Sequence, residues 1–280
     1  MSLIIQNGKR NDLNEIVLNN LWYDQKALIL PWGSAVRDEK TGGADADPRL
    51  QVGQILDFYV KHHNNPNIKK VKGVVFADTF KEFEKVERHI YNLGQELGDF
   101  VSKFFSEFVD IVSPMNFYEA VDSIQEATFT YIGGGCPSTL KDKIDEIDGL
   151  QDLLVDKAKT STVAVYSAGM VAYLDKFSLF KPHKGNYEDA LESQGPIGVT
   201  FIPHIDNMSQ EYAQAMLFGV RNGISRETVA LSGNLVLAVD ISSEEVTHYE
   251  SLDHNAGVQV LGVGKVQNLQ LVQKYLSMGR

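Results

Sequence analysis

Three short stretches carry residue types suited to acyl-transfer chemistry, and each closes an apolar run rich in β-branched residues. They are "TYIGGGCPSTL" (130–140), "VAVYSAGMVAY" (163–173) and "GVTFIPHIDN" (198–207). In the second, the run breaks at Ser167 and resumes as a helix, the strand-to-helix turn that lifts a nucleophilic hydroxyl above a sheet. The N–H of Ala168 then stands at the positive end of the new helix. A serine at that point also suits a simple helix cap, so the turn alone leaves both readings open. His204 closes the third stretch, and its imidazole has the unperturbed pKa that suits taking a serine proton near neutrality. Gly133–Gly135 end the first stretch, where positive φ and close backbone approach let N–H groups point at an anion. The same triplet serves a tight strand-to-helix turn equally well.

Other chemistries fit less well. The glycine loop lacks the Lys-Ser/Thr ending of a P-loop and the spacing of a dinucleotide fingerprint, and no cofactor is predicted. His62 and His63 fall near a helix end, His89 inside a helix, and His248 and His254 beside a turn; none has zinc-ligand spacing, and no metal is predicted. "DEKTGGADADP" is read as a solvated loop leading to a helix cap rather than as a calcium loop.

The elements that must carry these residues alternate in type. Runs such as "KALILPWG", "KVKGVVFAD", "VDIVSP" and "ATFTYIGGG" are separated by segments of helical period, which predicts βαβ units around a mostly parallel, doubly wound α/β sheet. Asp47 and Pro48 supply an N-cap and a first-turn proline for a helix whose stripe is Val52, Ile55, Leu56 and Tyr59. After about residue 224, short pieces such as "ETVALSGNLVLAVD" and "EVTHYESL" predict antiparallel hairpins appended to that sheet. Ligands of such sheets bind beyond the carboxyl ends of the strands. The catalytic reading requires the three strand ends to fall in one sheet.

Composition narrows the partners. The chain has 280 residues with 43% hydrophobic and 22% charged, and 26 basic residues against 37 acidic give a net charge of −11. Such a surface repels phosphate backbones and anionic lipid, so neither nucleic acid nor a membrane is expected as partner. The single cysteine, Cys136, excludes an internal disulfide and fits a reducing compartment. The N-terminal "MSLIIQNGKRNDLNEIV" is too polar for a signal peptide and no apolar stretch has spanning length, which predicts a cytoplasmic protein. Without repeats or a linker, residues 1–280 are read as one domain.

Taken together, the motifs resemble those of the peptidase E and cyanophycinase serine peptidases. The resemblance rests on "YIGGGCPSTL" against a Gly-Gly-Gly-Asn loop, "YSAGM" against Gly-x-Ser-Ala-Gly, and "FIPHID" against Asn-Pro-His. Downstream, "GISRETVALSGN" and "VQVLGVGKV" are similar to further family hairpins, and the match spans roughly residues 27 to 270. The resemblance implies a flavodoxin-like sheet of the class I glutamine amidotransferase kind and hydrolysis of small peptides. It implies Ser167 as nucleophile, His204 as base, and the Gly135 and Ala168 N–H groups as oxyanion donors. The acid that orients the base is expected between them, in "FKPHKGNYEDALESQG", with Asp189 preferred over Glu188 and Glu192.

The sequence departs from that pattern at Val165, Cys136 and Ile202, where the family has glycine, asparagine and asparagine. A non-catalytic member that binds a small ligand or a protein is therefore the alternative. A cysteine amidotransferase would need Cys at position 167, and an α/β-hydrolase would need the full Gly-x-Ser-x-Gly. No Lys or Arg lies between His204 and Arg221 to pair with a substrate carboxylate; Arg226 and Arg37 are the candidates elsewhere. The substrate side chain and the oligomeric state are not encoded in these motifs.

Overall fold

The computed structural model describes residues 2–8, 17–19, 21, 23–37, 44–113, 116–167, 169, 180–181, 186–187, 199–204, 227–243, 245–251 and 257–261. They fall into two compact units: a central one, Leu18–Asp148, and a terminal one made of Met1–Val17 with Gly149–Arg280.

β1 (Ser2–Asn7) belongs to the terminal unit. The central unit then runs through β2 (Gln25–Leu30), β3 (Ala35–Arg37), β4 (Ala44–Ala46), α1 (Pro48–His62) and β5 (Ile68–Phe76). It continues with α2 (Phe80–Leu97), α3 (Asp99–Phe108), β6 (Val109–Val112), α4 (Tyr118–Glu126), β7 (Phe129–Ile132) and α5 (Pro137–Asp145). The chain returns to the terminal unit with α6 (Leu150–Thr160), β8 (Thr162–Tyr166), β9 (Phe180–Lys181), β10 (Asn186–Tyr187) and β11 (Val199–Ile202). It ends in β12 (Glu227–Ser232), β13 (Leu235–Asp240), β14 (Glu245–Ser251) and β15 (Gly257–Leu261).

In the central unit the strand order is β7-β2-β5-β6, and every pair is parallel. Strands of this kind carry continuous apolar runs because both faces are covered. Ala27–Leu30, Val74–Phe76 and Phe129–Ile132 are accordingly buried. Asp47 caps α1 by accepting from the Arg49 N–H at 3.0 Å, and Pro48 occupies its first turn, as the sequence predicts. The buried face of α1 is rotated from the predicted stripe: Gln51, Val52, Ile55, Phe58 and His62 face inward. Tyr59 instead packs on the α3 rings, with its centroid 4.3 Å from that of Phe104. The stretch after Thr79 forms two helices, because Gly98 at φ +90 ends α2 and starts α3.

In the terminal unit the order is β14-β13-β1-β8, with β1 parallel to β8 and antiparallel to β13. A second sheet, β11-β12-β15, pairs β11 and β12 in parallel and β12 and β15 antiparallel. The β13–β14 hairpin is as expected, but β12 and β13, joined by Gly233-Asn234, do not pair. Both edges of β13 are already taken by β1 and β14, so this turn passes the chain from one sheet to the other. The run "SLIIQN", absent from the predicted strands, forms β1. Among the described residues no helix is long and apolar enough to cross a membrane.

Candidate active site

In the terminal unit, Val163, Ala164 and Val165 of β8 are buried, and Leu3 and Ile5 of β1 stand beside Val163 and Val165 in register. Ser167 follows β8 at once with φ +50 and is half-buried. That left-handed conformation crowds an ordinary side chain against the next carbonyl, at a cost of roughly 1–2 kcal/mol, so a non-glycine residue there needs surrounding structure to hold it. Gly169, two residues on, is helical and buried. The backbone therefore reverses sharply at Ser167, the turn type that presents a hydroxyl at a strand end.

His204 lies two residues beyond β11 and is also left-handed, at φ +57. Pro203 before it is buried. The His204 N–H donates to Asn7 Oδ1 at 2.9 Å, and Asn7 Nδ2 donates to the Gly233 carbonyl. One buried amide at the end of β1 thus joins the turn after β11 to the turn between β12 and β13. The imidazole meets the Tyr166 ring edge-on, with centroids 6.2 Å apart and planes at 77°. Burial pushes the Tyr166 phenol up to about 12, so it is neutral near pH 7.

Tyr166, Ser167, His204 and Asn7 are thereby gathered within one unit. The expectation of one sheet is corrected in part: β11 belongs to the three-stranded sheet with β12 and β15, not to the sheet that holds β8. The unoccupied edge of β12 accepts β11 in parallel, and the Asn7 and Tyr166 contacts bring the histidine back toward β8. Asn7 was not among the sequence candidates. Its only local signal is that it ends a short β-branched run.

In the central unit, Gly133–Cys136 follow β7 and lead into α5. The Gly133 N–H donates to the Leu30 carbonyl at 3.0 Å, and the Cys136 N–H donates to the Gly33 carbonyl at 2.6 Å. Gly135 is exposed at φ +140, and a Cβ there would fall 1.9 Å from the Gly33 oxygen. Glycine is therefore required by both backbone angle and space. Among the described residues the Gly135 N–H has no acceptor. Cys136 is half-buried and occupies the N-cap of α5 without a side-chain capping bond.

Nearby in the same unit, Lys143 of α5 is buried, pairs with Asp78 beyond β5, and lies 4.9 Å from the Phe76 ring centroid. Burial pushes its ammonium below the usual lysine range. Asp78 Oδ1 is buried without a hydrogen-bond partner. Among the described residues no cluster of three or more His, Cys, Asp or Glu side chains could hold a metal ion. Ala168, Glu188, Asp189, Glu192, Arg221 and Arg226 lie outside the described residues.

No family model matches the sequence, and no curated protein does. Among solved structures the chain is similar to the "Putative Peptidase E Protein" of Listeria monocytogenes EGD-e, with a TM-score of 0.51 at 12% identity over 90% of this chain and 98% of that one. It is also similar to a peptidase from an acI-B1 Actinobacterium, with a TM-score of 0.43 at 15% identity over 86% and 93%. The first likeness shows the fold: an α/β chain with a mostly parallel sheet and antiparallel C-terminal strands, as the sequence predicts.

Proposed function

We propose that this chain is a serine peptidase that hydrolyses small peptides. The observation that carries the reading is the left-handed backbone of Ser167 at the end of β8, with the His204 ring against the adjacent Tyr166. Shared fold with peptidase structures adds a prior and no more, because one fold hosts many activities.

In the proposed reaction Ser167 Oγ attacks the peptide carbonyl while His204 takes its proton. The C–N bond then breaks, the proton passes to the leaving amine, and water hydrolyses the acyl-enzyme by the same route. The Gly135 and Ala168 N–H groups are the proposed oxyanion donors, one such donor being worth about 3 kcal/mol in the transition state. Asp189 is the proposed acid that holds the imidazole tautomer, with Glu188 and Glu192 as the other candidates. Catalysis without a cofactor and a cytoplasmic setting belong to the same proposal.

An active-site-directed fluorophosphonate tests it. Stoichiometric labelling at Ser167, together with dipeptide hydrolysis that Ser167→Ala abolishes, supports the reading. An unlabelled, folded protein with no hydrolysis across a dipeptide library leaves the ligand-binding alternative in its place.

A further inference from the structure

The glycine loop is held by a neighbouring turn that none of the catalytic assignments uses. Beyond β2 the chain turns through Pro31–Ser34, with the Ser34 N–H donating to the Pro31 carbonyl at 3.0 Å. This turn packs directly on the loop. A Cβ on Gly33 would come 3.2 Å from the Gly134 carbonyl, and the Gly33 carbonyl itself takes the Cys136 N–H.

The turn is anchored in its own right. The buried Ser34 hydroxyl donates to the Pro31 carbonyl at 2.7 Å and accepts from Gln54 Nε2 of α1 at 2.8 Å. The other end of the same amide also meets the loop: Gln54 Oε1 lies 2.9 Å from where a Gly133 Cβ would stand. One helical turn earlier, Gln51 grips the end of β5, donating to the Phe76 carbonyl at 3.1 Å and accepting its N–H at 2.8 Å. Two glutamines three residues apart on α1 thus hold the carboxyl ends of adjacent strands.

We infer that Gln54, acting through Ser34, is a positioning residue that fixes the Gly133–Cys136 loop and so aims the Gly135 N–H. The inference rests on the peptidase reading for its catalytic consequence, and on geometry alone for the positioning. Gln54 is exposed outside this contact, so its substitution leaves the core intact. A small displacement of an oxyanion donor forfeits part of a contribution that full removal puts at about 100-fold or more in kcat.

The test compares Gln54→Met, Ser34→Ala and the double variant with the wild type. Amide hydrogen exchange at Cys136 reports the loop whether or not the protein is an enzyme, and is expected to speed up in each variant. The rate of Ser167 phosphonylation by the fluorophosphonate, in which Oγ bonds to phosphorus and fluoride leaves, and peptide kcat are each expected to fall about tenfold with the peptide KM unchanged, the double variant being no worse than either single one, because the two residues act as a unit. Ser34→Thr, which keeps the hydroxyl, is expected to retain wild-type exchange. Unchanged Cys136 exchange in Gln54→Met overturns the inference, as does faster exchange with an undiminished rate of Ser167 phosphonylation. A wild-type protein that never labels at Ser167 overturns the peptidase reading instead, and with it the catalytic role of the clamp.

Discussion

The Tyr166 and His204 rings meet edge-on at 6.2 Å, which ties the residue before Ser167 to a histidine that lies two residues beyond a strand of a different sheet. Edge-to-face aromatic contacts of this kind contribute about 1 kcal/mol beyond the area they bury. The contact restricts where the imidazole can stand, because the Tyr166 backbone is itself paired with Gln6 in β1 and the His204 N–H is held by Asn7, the next residue of β1.

The strained turn at Ser167 gives a first prediction. Ser167→Ala and Ser167→Gly both remove the hydroxyl, and both are expected to lose fluorophosphonate labelling. Only glycine relieves the φ of +50, so the glycine variant is expected to be the more stable of the two by about 0.5–1 kcal/mol in urea unfolding. Equal stabilities would show that the left-handed turn is not maintained in solution.

Alkaline titration tests the burial of Tyr166. Its phenol is raised to about 12, against about 10 in an unfolded chain, so the folded state keeps the proton longer. The stabilisation is full below about pH 10 and is lost as pH rises through about 12. Urea midpoints measured across that window should fall more steeply for the wild type than for Tyr166→Phe, which keeps the ring contact with His204.

Two glycines separate a required position from a tolerant one. Gly135→Ala places a Cβ against the Gly33 oxygen at φ +140, and is expected to displace the loop and to abolish hydrolysis. A Cβ added at Gly53, inside α1, would meet nothing within 4 Å, and Gly53→Ala is expected to raise stability by about 0.5–1 kcal/mol. Hydrolysis rates should be unchanged in the second variant; a loss there would place α1 under a constraint that the packing does not explain.

Removing one partner of the Asp78–Lys143 pair should be asymmetric. Asp78→Ala strands a buried ammonium and is expected to cost about 3 kcal/mol, measured by chemical unfolding. Lys143→Met keeps an unbranched stem over Phe76 and leaves a carboxylate whose side chain is 27% exposed, so its cost is expected to be smaller. In the double variant most of the Asp78→Ala loss should be recovered, since no unpaired buried charge remains.

Local signals served well where one segment decides its own conformation. The cap at Asp47, the strand ending at Tyr166 and the glycines after β7 follow from side-chain chemistry and steric limits that act over a few residues. They fell short where a choice lay between partners. The division of α2 from α3 at Gly98 depended on whether one glycine would take φ +90, and the rotation of the α1 stripe depended on which neighbours covered Tyr59.

The sequence by itself determined that the chain alternates strands and helices, that Ser167 stands at a strand end, and that Gly133–Gly135 lead from a strand into a helix. These are consequences of backbone sterics and apolar patterning, which each segment carries with it. Tertiary structure alone decided that β11 joins a separate sheet, that Gly33 receives the Cys136 N–H, and that Asn7 holds His204. The Asn7 bond spans 197 positions of chain, and no local pattern specifies a partner at that range: the choice follows from which strand edges are already occupied when the sheets are complete.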